Sequence, residues 1–206
     1  MAEEIQPPGR PHPESGSGAD EVRPVSHSRS LLVRWMAIGD ANSAGFVHGG
    51  SVMRLVDEAA GLAAIKHSGR RVVTAGMDRM TFVTPVFVGE LLRCSSSVNA
   101  VWRSSMEVGV RVEAENPYTG ETRHTSTAYL TMVALEEGKP VTAPQLLTES
   151  DDERRREHEA SLRRENRLSE RDQIRGGRGG APEAADAGEA PDAPKAPDAP
   201  EATDTT

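Results

Sequence analysis

The stretch that decides the fold is Asn42 to His67, N-S-A-G-F-V-H-G-G-S-V-M-R-L-V-D-E-A-A-G-L-A-A-I-K-H. A glycine-bearing loop leads into Gly49-Gly50-Ser51. About four turns of helix-permissive sequence follow, with one acidic pair, Asp57-Glu58, near the middle. On a wheel advancing about 100° per residue, Val52, Leu55, Val56, Ala59 and Ala63 share one apolar face that must lie on a core. Met53, Ala60 and Ala64 form a second apolar flank, and Asp57 falls on it. Arg54 and Glu58, four apart, take the remaining side as a solvent ion pair. The two acids are therefore not equivalent. A lone carboxylate on a flank of small residues suits a close subunit interface or a substrate tunnel, although a boundary residue of an amphipathic helix gives the same pattern. Glycines begin many helices for backbone reasons. Amides exposed at a helix N-terminus also stabilise an oxyanion, so loop and carboxylate together can face one substrate.

Working outward, Leu31–Met36 (L-L-V-R-W-M) is a short apolar run flanked by serines and Gly39-Asp40, and it reads as a first strand. Residues 1–24 are Pro, Gly, Ser and acid, the composition of a disordered leader. Downstream, Ser68-Gly69 ends the helix, with Lys66 and His67 placed to suit its C-terminal dipole. Val72–Thr84 is β-branched and aromatic, with Gly76 as a bulge or a point of close ligand approach. Pro85 and Gly89 break that run, and Leu91–Trp102 forms the next strand. Met106, Val108, Val110, Val112 and Ala114 alternate with Glu107, Gly109, Arg111 and Glu113, the pattern of a strand with one wet face. Asn116–Gly120 is a hairpin loop. Glu121–Leu135 returns as a long strand, and Gly138-Lys139-Pro140 closes the domain.

Strand, helix, then four strands on short connections favour antiparallel pairing and an α+β domain. With one helix to cover it, a five-stranded sheet must wrap that helix. From Glu149 to Ile174 the chain is charged throughout. Leu162, Leu168 and Ile174 recur every six residues, which makes no heptad seam. This segment reads as a solvated helix at most, and the A-P-D-A-P repeats after Gly176 as low complexity.

Composition narrows the function. Of 206 residues only 36% are hydrophobic, but the shortage is confined to the termini, leaving about 120 residues for one domain core. A net charge of -8 argues against a nucleic-acid binder. The single cysteine, Cys94, excludes an internal disulfide framework and fits a reducing compartment. No signal-peptide pattern and no apolar run of membrane-spanning length occurs, so the expectation is a cytoplasmic protein acting without a membrane.

No HExxH, CxxC, GxSxG or P-loop is present, and the histidines lack metal-ligand spacing. His67 reads as a helix-end residue and His124 as a strand-surface one. His48 either shapes the loop or acts in chemistry. What remains is Asp57, a helix N-terminus, and Asn42 six residues before His48. Such a trio can hydrolyse an activated carbonyl: amides take the oxyanion, the acid orients or deprotonates water, and the asparagine holds water or substrate.

His48-Gly49-Gly50, six intervening residues and then Asp57, with Asn42 upstream, a helix and four strands, resembles the hotdog-fold acyl-CoA thioesterases. The similarity is to their cytosolic acyl-CoA hydrolase branch. It is carried by L-V-D-E-A-A-G-L-A-A-I-K-H at 55–67, V-V-T-A-G-M-D at 72–78, R-S-S-M-E-V at 103–108 and T-G-E at 119–121, and it covers about residues 25–147. The resemblance implies a single hotdog domain over residues 25–148 with Asp57 as general base or nucleophile. Gly49 would be the oxyanion donor and Asn42 the loop asparagine. It places CoA along Ala75, Gly76 and Met77 and against Ser104, Ser105 and Met106, with Arg103 able to meet a phosphate or to stand as an ordinary surface cation. It implies no cofactor, since CoA belongs to the substrate. It also implies a homodimer or trimer of dimers, because asparagine and acid come from different hotdog units. Gly76 replaces a bulkier or hydroxyl-bearing residue, so any water-positioning hydroxyl must come from elsewhere, with Thr74 the candidate. A hotdog hydratase would pair its acid with a histidine in a different motif, and no such pair follows Asp57. A non-catalytic acyl-CoA-binding regulator would be expected to carry a DNA-binding domain, for which residues 1–24 are too short and polar.

Overall fold

The structure is a computed structural model, and it describes residues 21–177. In chain order the elements are β1 (Val22–Pro24), α1 (Val25–Ser28), β2 (Ser30–Trp35), α2 (Gly49–Ser68), β3 (Arg71–Met77), β4 (Leu91–Val101), β5 (Ser105–Glu115), β6 (Thr122–Glu136), β7 (Lys139–Pro140), β8 (Gln145–Leu147) and α3 (Asp151–Gly177). The main sheet runs β2-β4-β5-β6-β3, with antiparallel neighbours throughout and β7 paired to the end of β6. This is the expected α+β hotdog arrangement, a curled antiparallel sheet around a long helix.

Helix α2 forms where the wheel places it. His48 caps its start by accepting the Gly50 N–H on Nδ1 at 2.9 Å. Gly69 ends it at φ 65°, a left-handed turn that a Cβ would strain, with its N–H on the Ile65 carbonyl. Val52, Leu55, Val56, Ala59 and Ala63 are all buried against Leu92, Cys94, Val98, Met106, Val108, Val110, Leu130 and Met132 of the sheet. Of the second flank, Ala60 and Ala64 are also buried while Met53 stays exposed. Arg54 and Glu58 form the expected exposed pair at 2.9 Å. The long strands bury one face by period-two alternation, and α2 lies close enough that the Ser96 hydroxyl donates to the Ala59 carbonyl at 2.8 Å. Among the described residues no helix is long and apolar enough to cross a membrane.

Four expectations need correction. Residues 22–24, read as leader, form β1 and pair in parallel with β8. Arg23 there donates to the His67 carbonyl at 2.7 Å, satisfying an orphan acceptor at the end of α2. The strand expected to reach Thr84 stops at Met77. Beyond it Asp78 turns its carboxylate to Arg167 at 2.6 Å, and residues 79–88 follow the end of β6 through single bonds such as Val83 N–H to the Thr125 carbonyl. The charged segment after Glu149 is a packed helix. Arg163 donates to the buried Glu107 carboxylate at 2.7 Å and lies 3.6 Å from the Tyr129 ring centroid, while Arg164 lies 4.4 Å from that of Trp102. The outer face of β5 is therefore dry at Glu107, which is 0% exposed, and helices cover both sides of the sheet there. His67 stands in the last turn of α2 as expected, and it is buried there with Nε2 on the Pro144 carbonyl.

Candidate active site

The N-terminus of α2 offers three amides in its first turn. Gly50 donates to His48 Nδ1 and Ser51 to the His48 carbonyl, leaving the Gly49 N–H with no intrahelical acceptor. The Phe82 ring lies over Gly49, 3.5 Å from where a Cβ would stand. Gly49, Met53 and Asp57 follow at intervals of four, so the free amide, an exposed apolar side chain and a half-buried carboxylate share one stripe of α2. His48 thus serves as a helix cap, the loop-shaping alternative.

Asp57 meets the sheet through Thr74. The Thr74 hydroxyl donates to Asp57 Oδ1 at 2.6 Å, linking α2 to β3. Sequence reasoning reached Thr74 only as a substitute hydroxyl. Its strand position opposite the helix supplies the contact. Immediately beyond, the β3–β6 register shifts between Thr74 and Gly76, and a Cβ on Gly76 would meet only open space. The expected bulge is there, and it brings exposed Ala75 and Gly76 beside the carboxylate. β3 ends the sheet and pairs on one side only, with β6, among the described residues.

Asn42 lies in the loop before α2. Its Oδ1 accepts the Ala44 N–H at 2.9 Å and the Phe46 N–H at 3.2 Å, so its amide NH2 is the group left to face outward. No hydrogen bond joins Asn42 to Asp57 within the chain among the described residues. Gly49 and Asp57 are also far apart: eight helical residues separate them by about 12 Å along the axis.

The second expected group gathers at the Trp102–Ser105 turn, closed by the Trp102 N–H on the Ser105 carbonyl at 2.9 Å. Arg103 is exposed, Ser104 buried and Ser105 half-buried. Met106 is wholly buried, so its side chain belongs to the core and only its backbone can face a ligand. Thr74 and Met106 both pair with Met132, which puts the Ala75–Met77 and Ser104–Met106 segments on the two flanks of β6.

Sequence reasoning missed α3 at this turn. Arg164 donates to Ser105 Oγ at 3.3 Å and stacks on Trp102. Among the described residues, Arg71, Arg103, Arg164 and Arg175 are the arginines without a carboxylate in ion-pair reach, and two of them meet here. Burial, and then repulsion from Arg167, lower the Arg164 guanidinium below its ordinary pKa, so the site favours an arriving anion. Elsewhere, burial pushes the Cys94 thiol up to about 12, which leaves it an inert core residue.

Comparison with known proteins agrees with this geometry. The family described as the Thioesterase superfamily matches residues 44–121. The rat cytosolic acyl coenzyme A thioester hydrolase is 35% identical over 146 residues, 69% of this chain, and the match spans 38% of that longer protein. A hexameric acyl-CoA thioesterase structure is 39% identical with a TM-score of 0.70, covering 73% of this chain and 97% of its own. The Staphylococcus aureus acyl-CoA hydrolase, solved with butyryl coenzyme A, coenzyme A and coenzyme A disulfide, is 32% identical with a TM-score of 0.69, covering 75% and 94%. That hydrolase has also been solved with alanine in place of an asparagine, an aspartate and a threonine spaced by 15 and 17 residues. By sequence and by architecture, this chain belongs to the hotdog-fold acyl-CoA thioesterase family.

Proposed function

We propose that this chain hydrolyses acyl-CoA thioesters to a free acid and CoA, at a site built between two copies. The carrying observation is the Asp57 carboxylate held by Thr74 on the same α2 stripe as the unclaimed Gly49 amide. A separation of about 12 Å is too great for both to reach one carbonyl. A second copy that lays its α2 alongside brings the Gly49 amide of one to the Asp57 of the other, and the unpaired β3 edge is the surface available for that approach. In this reading Gly49 stabilises the oxyanion, Asp57 attacks or activates water, and the Asn42 NH2 orients water or the thioester. Asn42, Asp57 and Thr74 have the same 15- and 17-residue spacing as the residues replaced in the S. aureus hydrolase, which supports these roles.

CoA runs along Ala75–Met77 towards the Trp102–Ser105 turn, where Arg103 and Arg164 take its phosphate and Ser105 adds a hydroxyl. The assembly is a homodimer or a trimer of dimers, and the lone buried Cys94 suits a reducing cytoplasm.

Free-thiol release from acetyl-, hexanoyl- and palmitoyl-CoA tests the assignment, with Asp57→Asn compared at matched oligomeric state. Turnover that is lost in the variant while CoA still binds supports hydrolysis by this acid. Equal, negligible turnover in both proteins with acyl-CoA bound overturns it and leaves a ligand-binding hotdog protein.

A further inference from the structure

The loop that carries Asn42 is exposed from Ser43 to Phe46 and turns through Gly45 at φ 85°, yet the asparagine side chain is tied down at both lone pairs. The hold on this side chain has a traceable source. Phe46 closes the loop, accepting the Asn42 N–H at 2.7 Å and donating to Asn42 Oδ1. Phe46 in turn forms a lone antiparallel bridge with Phe87, and their rings meet edge to face at 5.6 Å. The neighbouring Val47 N–H donates to the Val86 carbonyl at 2.9 Å.

Phe87 sits in the irregular segment between β3 and β4, where no ladder holds it. Its anchor is ionic. Arg123 of β6 grips both oxygens of the buried Glu90 at 2.5 and 2.6 Å, donates to the Pro85 carbonyl at 2.8 Å, and lies 5.3 Å from the Phe87 ring centroid. Glu90 accepts the Phe87 N–H at 2.8 Å on the same carboxylate. A bidentate pair fixes orientation as well as distance, so β6, the Phe87 shelf and the asparagine loop form one continuous support.

We propose that Arg123, Glu90 and Phe87 are positioning residues for Asn42, setting the direction of its NH2 towards the reacting group. This rests on the thioesterase reading and on the role given there to Asn42. The support touches neither Asp57 nor the Trp102–Ser105 turn, so loosening it acts on the chemical step and leaves CoA affinity alone.

The test is steady-state thiol release from one acyl-CoA by the full chain, carrying Phe87→Leu, Arg123→Gln, Asn42→Ala and each pairing with Asn42→Ala. Phe87→Leu keeps the ion pair and a half-exposed apolar side chain, which protects the experiment from simple unfolding. The expected result is a fall in kcat of about 5- to 20-fold for Phe87→Leu and for Arg123→Gln, with KM within about twofold and partial rescue by Arg123→Lys. Neither change should lower kcat further once Asn42 is alanine. Unchanged kcat in folded Phe87→Leu and Arg123→Gln, or equal proportional losses with and without Asn42, overturns the positioning role. Full activity in Asn42→Ala overturns the asparagine assignment and this inference with it. A chain that releases no thiol from any acyl-CoA defeats the thioesterase reading itself.

Discussion

Thr74 Oγ1 donates to Asp57 Oδ1 at 2.6 Å, and this bond fixes the one carboxylate on the small-residue flank of α2 against an edge strand. Hydrogen bonds to charged groups are worth about 1.5–3 kcal/mol, or about 10- to 150-fold in rate if the bond is kept only while the acid works. Thr74→Val, which keeps shape and loses the hydroxyl, should lower kcat by that factor with little change in melting temperature. Thr74→Ser should retain most activity. Kinetics on both variants beside Asp57→Asn check this.

The arginines at the Trp102–Ser105 turn predict a separation by substrate. Arg164→Gln and Arg103→Gln should each raise KM for acyl-CoA about tenfold with kcat preserved. The same variants should match the natural protein on acyl-pantetheine, which lacks the nucleotide phosphates. A dephospho-CoA thioester then tells which phosphate is held: equal KM values in variant and natural protein point to the 3′-phosphate.

Glu107 is wholly buried on the outer face of β5 and is held by Arg163 and Arg167. Arg163 and Arg167 are part-exposed and keep Glu159 and Asp78 in reach, so removing Glu107 costs its hydrogen bonds to charged groups, about 1.5–3 kcal/mol. Glu107→Ala should therefore destabilise by that order in urea titration and expose α3 to trypsin. Gly109→Ala should cost about 1–3 kcal/mol, because its Cβ would stand 2.7 Å from Asn99 Nδ2.

His67 gives a pH signature. Burial lowers its pKa despite the Pro144 carbonyl, with Arg23 and His27 adding repulsion against Glu21, and its Nδ1 has no partner among the described residues. The folded chain therefore resists protonation that the unfolded chain accepts near pH 6.5. Stability from this group is full above about pH 6.5 and is lost as pH falls from there through the lowered folded value, with a slope of at most about 1.4 kcal/mol per pH unit. Urea midpoints at pH 7.5, 6.5 and 5.5 should fall towards acid in the natural chain and fall less steeply in His67→Gln.

The wheel through Val52, Leu55, Val56, Ala59 and Ala63 was legible because a helix against a curled sheet must bury a stripe at that period, and the structure buries each of them. Asp57 was legible as the odd residue on a small flank, and Gly76 as a break in a β-branched run. The end of β3 was not, because T-F-V-T has strand composition but its bonds run singly to β6. α3 was illegible for a different reason. Apolar periodicity looks to Leu162 and Ile174, which are 46% and 52% exposed, while the helix docks through Ala160, Glu153 and guanidiniums on aromatic rings. Such a seam has no hydrophobic period, so Arg164 escaped notice beside the turn it completes.

That seam gives the molecule two kinds of adhesion with opposite responses to solvent. The sheet and α2 are held by apolar burial, which sulfate-like salts strengthen. Part of α3 is held by ion pairs open to solvent, such as Arg79 with Glu170 at 3.7 Å, which the same salts screen. Rising ionic strength should firm the centre of the protein while loosening its outer helix, making salt a selective lever on Arg164 and the Trp102–Ser105 turn.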